Sequence, residues 1–293
     1  MRAVLRAQLD VMQANEAGML ADRDPEDLHR YRVALRRTRS CIGQMKRTLP
    51  KRLVAQVKPE FAWLGSVTGP TRDLDVFLQD MQRYRKRLDE EKRPGLEPLT
   101  ALIRQDKQQA HRRLTRELDS DRYRELIAGW RRFLEAPFDG SDARLSNLPI
   151  ADVATERIRS RYERMVQAGR KLDPMKETDR LHRLRIDGKK LRYLLEFFRE
   201  LFAAGAVDPL ISALKRLQDH LGEFNDLVVQ QSALSKISPR LKSIPETPQI
   251  TFVAIESLLQ DLARREYRVR RRFTDEFARF DSDDTAHRIG ASS

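Results

Sequence analysis

Apolar side chains recur at helical spacing through most of the 293-residue chain. After Asp24 they fall every three or four residues, which is typical of a helix with one buried face. Asp24-Pro25-Glu26-Asp27 predicts where this helix begins. Asp caps helix N-termini, Pro suits the first turn, and acids are favoured near the positive end of the helix dipole. We expect the helix to run to about Thr48, before Pro50.

Further helices are predicted along the rest of the chain, and no convincing pair of strands is found. Their predicted ranges are 59–88, 99–118, 122–134, 151–171, 178–201, 209–235 and 252–279. Gly69-Pro70 is expected to kink or restart the first of them. Residues 236–249 carry three prolines and are predicted to form a loop. The predicted fold class is therefore all-α.

The chain contains an internal repeat with an offset of 153 residues. Leu28-His29-Arg30-Tyr31-Arg32 recurs as Leu181-His182-Arg183-Leu184-Arg185, and the same offset aligns Gly69 with Gly222. Residues 27–76 and 180–229 share 11 identities in 50 positions. A duplication is predicted, with repeats at about 1–140 and 150–285 in one domain and a linker at about 136–149, which is rich in Pro, Gly, Ser and Asp.

Each repeat carries a row of basic side chains on one helix face. At 100° per residue, four side chains of the first repeat share roughly 80° of arc over about 15 Å of helix. This first ridge consists of His29, Arg32, Arg36 and Arg39. The second ridge consists of His182, Arg185, Lys189 and Arg192. No acid is expected within either ridge, so an external polyanion is the natural source of neutralising charge.

Composition agrees with a polyanionic partner. Lys and Arg number 57 against 44 acidic residues, and the net charge of +13 favours nucleic acid, acidic lipid or phosphate chains. The hydrophobic share of 40% rules out general disorder. Cys41 is the only cysteine, which excludes an internal disulfide and a cysteine-built zinc site. No membrane span or secretory signal is recognised, so a soluble, cytoplasmic protein is expected.

Alternatives stay open for several of these residues. The ridges could be solvated faces or could pair with acids of another helix, but the repetition with His in register favours anion binding. His29 and His182 could be metal ligands or core histidines, although neighbouring cations favour hydrogen bonding to phosphate. Asp73 and Asp226 could orient a ridge arginine or hold a cation, and a helix cap or buried ion pair is favoured.

Other features carry less information about function. No phosphate-cradling glycine loop and no HExxH motif occurs, and Cys41 is predicted to be buried without an activating partner. Trp63 and Trp130 are predicted to lie in the core. A second basic face on the last helix could extend an anion-binding surface or be a solvated exterior. It consists of Arg264, Arg268, Arg271 and Arg272.

At the repeated motifs the sequence resembles the CHAD family, the conserved histidine α-helical domain. The matching segments are LHRYRVALRRTRS at 28–40, LHRLRIDGKKLRY at 181–193, TGPTRDLDV at 68–76 and LKRLQDHLGEFNDL at 214–227. The resemblance implies two pseudo-symmetric four-helix bundles with the basic helices lining a central surface or pore. It also implies binding of inorganic polyphosphate and association with polyphosphate granules. One departure is Gly188, which stands where the first repeat has Leu35.

The resemblance also implies a set of ligand-facing residues. They are His29, Arg32, Arg36, Arg37, Arg39 and Arg72, with His182, Arg185, Lys189, Lys190, Arg192 and Lys215. The leading hypothesis is a non-catalytic polyphosphate-binding protein without a cofactor. A nucleic-acid-binding protein is the first alternative, because contacts to phosphate alone would accept DNA or RNA. A metal-dependent phosphohydrolase that uses Asp73 and Asp226 is the second.

Overall fold

The computed structural model describes residues 1–136 and 148–281, and within these ranges the chain is helical without a strand. The α-helices are α1 (Arg2–Leu20), α2 (Pro25–Gln44), α3 (Lys51–Arg87), α4 (Leu96–Leu118), α5 (Asp121–Glu135), α6 (Ile150–Arg170), α7 (Thr178–Phe197), α8 (Asp208–Lys242) and α9 (Gln249–Phe280). Short 3₁₀ helices occupy Glu90–Gly95 and Arg199–Leu201. The predicted all-α class is confirmed. Most of the predicted linker lies outside the described residues.

The chain divides into two compact units. Unit 1 comprises Met1–Asn147 and Ile244–Ala254, and unit 2 comprises Leu148–Ser243 and Ile255–Ser293. Unit 1 thus contains α1 to α5 and the first residues of α9, whereas unit 2 contains α6 to α8 and the rest of α9. Unit 2 has the four helices predicted for its half, and unit 1 has α1 in addition to the four that were predicted there.

In unit 1, α2 packs against both α1 and α3, and α3 packs against α4. Burial of aromatic side chains fills this core. The ring of Phe61 meets that of Trp130 edge-on at 5.3 Å between centroids, and both residues are fully buried. The hydroxyl of Tyr31 lies 3.1 Å from that of Tyr123, which donates to Glu16 at 2.5 Å. The buried hydroxyl of Tyr31 therefore has the partner that burial requires.

In unit 2, α7 packs against both α6 and α8, and the second part of α9 adds a row of aromatic rings. The ring of Phe277 occupies the space that a side chain at Gly169 would need. Arg270 of α9 is nearly buried and donates to the carbonyl of Pro174 at 2.7 Å and to Thr178 Oγ1 at 2.6 Å. Arg270 thereby ties α9 to the start of α7 and is a structural arginine.

Prolines interrupt the helices less than predicted. α3 begins at Lys51 and continues through both Pro59 and Gly69-Pro70, so the expected restart does not occur. Each proline frees a carbonyl four residues earlier, at Ala55 and Ser66, which are exposed and open to water. α8 likewise includes Pro239, so the predicted loop begins only after Lys242. By contrast, α2 is shorter than predicted, because it ends at Gln44 rather than near Thr48.

Candidate functional site

The first ridge lies on α2, and its helix begins as predicted. The side chain of Asp24 accepts a hydrogen bond from the backbone N–H of Glu26 at 2.9 Å. Leu28, Tyr31 and Leu35 are buried, which places the ridge side chains at the edge of the core. In the ridge, His29 and Arg32 are half-buried, whereas Arg36 and Arg39 are exposed.

The neighbouring helix α3 holds two of the ridge arginines. Nη1 of Arg32 donates to the carbonyl of Gly65 at 3.1 Å and to Thr68 Oγ1 at 2.8 Å. Nη1 of Arg39 lies over Gly65, in the space that a Cβ atom would occupy. The same nitrogen of Arg32 lies 3.6 Å from the Cβ position of Gly69. The absence of a side chain at Gly65 therefore lets the Arg39 guanidinium approach α3, whereas the distance at Gly69 is an ordinary van der Waals contact.

The first ridge is a cluster of like charges. Burial lowers the pKa of the Arg32 guanidinium, Asp73 opposes this shift, and Arg36, Arg39 and Arg72 reinforce it. Arginine remains protonated under any ordinary condition. Burial is the larger cause of the lowered pKa, and the like charges of Arg36, Arg39 and Arg72 add to it, so an added anion would relieve their repulsion of Arg32.

His29 shares this environment. Burial lowers its pKa below the ordinary value of 6.5, and the nearby charge of Arg72 adds to the effect. Glu26 acts in the opposite direction, and Arg36 and Arg32 reinforce the decrease. Arg72 itself, from α3, donates to the carbonyl of Pro25 at 3.4 Å. Arg72 thus joins the first ridge at its His29 end. Arg37 is half-buried and lies about 100° around α2 from Arg36, away from the face of the ridge.

The second ridge lies on α7, and a hydrogen bond replaces the cation beside its histidine. His182 is exposed, and its Nδ1 donates to Oδ1 of Asn225 on α8 at 2.8 Å, because an amide oxygen can only accept. Nδ2 of Asn225 donates in turn to Asp226 at 3.5 Å. Arg185, Lys189, Lys190 and Arg192 are half-buried.

One member of the second ridge pairs with an acid of its own helix, so the expectation that no acid neutralises this ridge is wrong. Arg192 lies 3.3 Å from Glu196, one turn further along α7. Lys190 lies 3.5 Å from Asp187, which also meets Arg161 of α6 at 3.3 Å. Helical spacing of three or four residues places these groups side by side. The second ridge is therefore partly neutralised within its own unit.

Lys215 and Gly188 are placed by the packing of α7 on α8. A Cβ atom at Gly188 would lie 3.2 Å from the side chain of Met165 and 3.5 Å from that of Gln218. Glycine leaves room for these two side chains, which a leucine at the same position would displace. Lys215 lies one turn before Gln218 on α8 and is exposed. It is about 15 Å along the helix from Asn225, so it does not join the histidine end of the ridge.

Asp73 and Asp226 lie inside α3 and α8, so the predicted role as a helix cap is wrong. Asp226 is exposed. Burial of its carboxyl raises the pKa of Asp73, and the nearby charges of Arg32 and Arg72 oppose this shift. Asp73 acts electrostatically on Arg32, which agrees with the alternative that it orients a ridge arginine. The sequence contained one usable signal for Asn225. The repeat offset aligns Asn225 with Arg72.

Two other predictions about apolar residues have different outcomes. Cys41 is buried, as predicted, and burial raises the pKa of its thiol to about 12. Trp130 is in the core, but Trp63 is half-exposed, so its predicted core position is wrong. The guanidinium of Arg122 stacks over Trp63 at 4.2 Å and is fixed by Glu60 at 2.6 Å. This arginine covers the indole ring in place of apolar neighbours.

The second basic face on α9 is exposed in unit 2. Its members Arg264, Arg268, Arg271 and Arg272 are all exposed. Glu223 lies 3.8 Å from Arg265 and 3.9 Å from Arg272, and these distances leave the ion pairs loose. Tyr267 projects from the same helix with 54% of its surface exposed. An exposed aromatic ring among arginines is a feature that the sequence analysis did not single out.

Two general features of the described residues bear on the site. Within 1–136 and 148–281, no group of three or more His, Cys, Asp and Glu side chains is placed to hold a metal ion. In the same part of the chain, none of the helices combines the length and apolar character needed to cross a membrane.

The fold and the paired basic helices define an all-helical protein with a cationic face in each unit. The model of the CHAD domain family matches residues 3–235, and the chain belongs to this family. The crystal structure of the CHAD domain from the plant Ricinus communis is similar, with a TM-score of 0.75 and 26% sequence identity over 94% of this chain and 89% of that one. No curated protein matches.

A second solved structure, PptA from Streptomyces chartreusis, shares the fold. Its TM-score is 0.70 and its sequence identity is 17%, over 94% of this chain and 97% of that one.

Proposed function

We propose that this chain binds inorganic polyphosphate through its two basic ridges and does not hydrolyse it. The observation that carries the proposal is the first ridge, where the like charges of Arg36, Arg39 and Arg72 act on Arg32 and only the carboxylate of Asp73 opposes them. Membership of the CHAD family supports it, because the sequence resemblance to this family implies polyphosphate binding.

The geometry of the first ridge suits a linear polyanion. His29 to Arg39 extends about 15 Å along α2, so successive cations can meet successive phosphates of one chain. Guanidinium groups donate through a planar fork that matches phosphate oxygens, and Arg36 and Arg39 are exposed for such contacts. Arg32 is anchored to α3 and contributes chiefly as a fixed positive charge.

The second ridge contributes in a different manner. Its histidine is oriented by Asn225, so the ring position is fixed before a ligand arrives. Lys190 and Arg192 already have acidic neighbours, and a phosphate must compete with Asp187 and Glu196 for them. We therefore expect smaller affinity gains from these two cations than from Arg36 and Arg39.

The test is direct titration of the purified chain with long-chain polyphosphate by isothermal calorimetry. Arg36→Gln/Arg39→Gln is expected to weaken binding ten- to a hundredfold, since each lost contact of an exposed arginine removes about 0.7–1.4 kcal/mol. Arg112→Gln/Arg116→Gln is the matched control, because it removes the same charge from exposed positions of α4. Equal effects of the two variants would reduce the ridge to a contribution to net charge and contradict the proposal.

The absence of catalysis needs its own measurement. Incubation with polyphosphate, ATP or tripolyphosphate, with and without Mg²⁺ or Mn²⁺, is expected to release no phosphate above background. Turnover that disappears in Asp73→Ala or Asp226→Ala would contradict the non-catalytic proposal and favour the metal-dependent phosphohydrolase.

Nucleic acid is a second candidate ligand, and the α9 face is the observation that favours it. Tyr267 offers a ring on which a base can stack, and Arg264, Arg268 and Arg271 surround it on adjacent turns. Competition between polyphosphate and single-stranded RNA at equal phosphate concentration separates the two candidates. Tighter binding of RNA that is lost in Tyr267→Ala would favour nucleic acid as the ligand.

Association with polyphosphate granules in the cytoplasm is the cellular counterpart of the proposal. A fluorescent fusion is expected to coincide with polyphosphate granules in cells that accumulate them. The Arg36→Gln/Arg39→Gln variant is expected to be distributed evenly instead, while the Arg112→Gln/Arg116→Gln variant stays with the granules.

A further inference from the structure

A second group of cations lies in unit 1, where α2 ends and α3 begins. They line a groove of about 420 Å³ together with apolar side chains that include Leu49 and Val54. The cations of this groove are Lys46, Arg47, Lys51 and Lys58. None of the described residues that line the groove is acidic, and no described carboxylate lies within 4.0 Å of these four cations.

The groove continues the first ridge because of how α2 and α3 are arranged. The two helices are antiparallel, since Arg39 of α2 meets Gly65 of α3 while Pro25 meets Arg72. The end of α2 therefore lies beside the beginning of α3, and the cations after Arg39 follow in the same direction.

Positions on α3 show the same continuity. Lys51, Lys58, Gly65 and Arg72 recur every seven residues, so they drift by only about 20° per step and share one side of the helix. At 1.5 Å per residue, Lys51 and Arg72 are about 32 Å apart along α3. Arg39 supplies the charge at Gly65, where α3 itself has none. A continuous basic track about twice the length of the first ridge results.

We propose that Lys46, Arg47, Lys51 and Lys58 form an extension of the first ridge that makes unit 1 selective for long polyphosphate chains. This inference rests on the proposed function. A short chain that fits the ridge does not reach the extension, whereas a long chain contacts both. Lysines suit such a role, because an ammonium group is a point charge that accepts a phosphate from many directions.

The α3 part of the extension belongs to the first repeat alone, whereas Lys46 aligns with the cation Arg199. The repeat offset aligns Lys51 and Lys58 with Ala204 and Ile211, which carry no charge. Lys51 and Lys58 are also exposed, so changing them does not disturb the core. Substituting these two lysines therefore tests the extension itself and not a feature that both basic helices share.

The experiment compares Lys51→Gln/Lys58→Gln with wild type in titrations against long-chain polyphosphate and against tripolyphosphate. We expect about a fivefold loss of affinity for the long chain, because two exposed charge contacts are removed, and less than a twofold change for tripolyphosphate. Lys51→Arg/Lys58→Arg should retain wild-type affinity for both ligands. Arg112→Gln/Arg116→Gln again controls for net charge, and circular dichroism checks helicity.

The outcomes separate the extension from the proposed function. Wild-type affinity of the Lys51→Gln/Lys58→Gln variant for the long chain, combined with weakened binding by Arg36→Gln/Arg39→Gln, would overturn the extension and leave the proposed function standing. An equal loss for both ligands would also overturn it, since chain length would then play no role. Failure of the wild-type chain to bind polyphosphate would overturn the proposed function and the extension with it.

Discussion

The two ridges carry nearly the same residues in the same register, yet their surroundings differ. Beside His29, α3 places the cation Arg72, whereas beside His182, α8 places the amide of Asn225. These two neighbours are aligned by the repeat offset. One substitution on an adjacent helix thus turns a repelled histidine into one that is held by a hydrogen bond.

The two ridges also differ in the acidic residues that lie near them. In unit 1, burial and three cations lower the pKa of Arg32, and Asp73 is the carboxylate that opposes them. In unit 2, Asp187 and Glu196 pair with members of the basic helix itself. The same motif of basic residues can therefore present different charge densities to a ligand. The charged residues one helical turn away and on the neighbouring helices determine that density.

The largest expected effect comes from removing two of the predicted ligand-facing cations from α2 and comparing this loss with removal of two from α7. Arg36→Gln/Arg39→Gln should weaken polyphosphate binding ten- to a hundredfold, because two charge-assisted contacts are lost. Lys190→Gln/Arg192→Gln should weaken it only about threefold, because these cations are already shared with acids. Titration calorimetry at one fixed salt concentration measures both.

Salt dependence sharpens this comparison. By analogy with single-stranded nucleic acids, each lost phosphate contact lowers the slope of log affinity against log salt by about 0.7. The unit 1 variant should therefore lose about 1.4 from the slope and the unit 2 variant less. Equal losses from both ridges would show that the paired cations of unit 2 contact phosphate as fully as the exposed arginines of unit 1.

The next effect concerns stability in unit 1. Arg32→Ala removes two hydrogen bonds to α3, to the carbonyl of Gly65 and to Thr68. The free energy of unfolding should fall by about 1–3 kcal/mol, as for hydrogen bonds made by a charged group. Denaturant titration followed by circular dichroism measures the loss. The exposed Arg36→Ala is the control and should change stability by less than about 0.5 kcal/mol.

The next comparison concerns one glycine in α3 and one in α8, the helices that pack against the two ridges. Gly222→Ala in α8 has open space around the added methyl group and should raise stability by about 0.5–1 kcal/mol, since alanine favours helix. Gly65→Ala in α3 places its methyl group where the Arg39 guanidinium lies. It should displace that flexible group and weaken polyphosphate binding about twofold, whereas Gly222→Ala leaves binding unchanged. The reverse pattern of affinities would place Arg39 outside the binding surface.

The smallest expected effect is the pH dependence of binding. In the free protein, burial and Arg72 hold the pKa of His29 below 6.5. A bound polyanion favours the imidazolium and raises this pKa, so binding takes up a proton. Affinity should therefore rise about twofold to threefold as pH falls through the range near and below 6.5, and this gain is lost as pH rises.

Histidine variants assign that pH dependence to one ridge. His29→Gln should remove most of it, because burial and the charge of Arg72 hold the pKa of His29 low in the free protein. His182→Gln is measured for comparison. Measurements from pH 5.5 to 8.5 at fixed ionic strength compare the variants. Persistence of the full dependence in His29→Gln would exclude this side chain as the titrating contact.

Local sequence was sufficient for much of the fold. The cap at Asp24, the arc of the first ridge and the burial of Cys41 all follow from helical periodicity and chemistry within a few residues, and each is confirmed. The continuity of α3 through Gly69-Pro70 was not predictable in this way. Whether a proline breaks a helix depends on whether tertiary packing holds the two sides together and leaves the freed carbonyl exposed.

Contacts between distant segments could not be predicted from the sequence either, because they also depend on tertiary packing. Trp63 was predicted to be buried from its helical position, but the guanidinium of Arg122, from α5, covers it instead. The hydrogen bond of His182 to Asn225 and the approach of Arg39 to Gly65 depend on how one helix lies against the next. Periodicity gives the side of a helix that a residue occupies and not the residue that it meets.

The assignment of the first residues of α9 to unit 1 has a consequence for folding during synthesis. Ile250 and Ala254 pack against Gly95, where the missing side chain allows the backbone of α9 to approach. These residues leave the ribosome only after residues 148–243, which belong to unit 2. The earlier unit therefore cannot complete its packing before most of the later one has been made, although domains commonly fold in the order of synthesis.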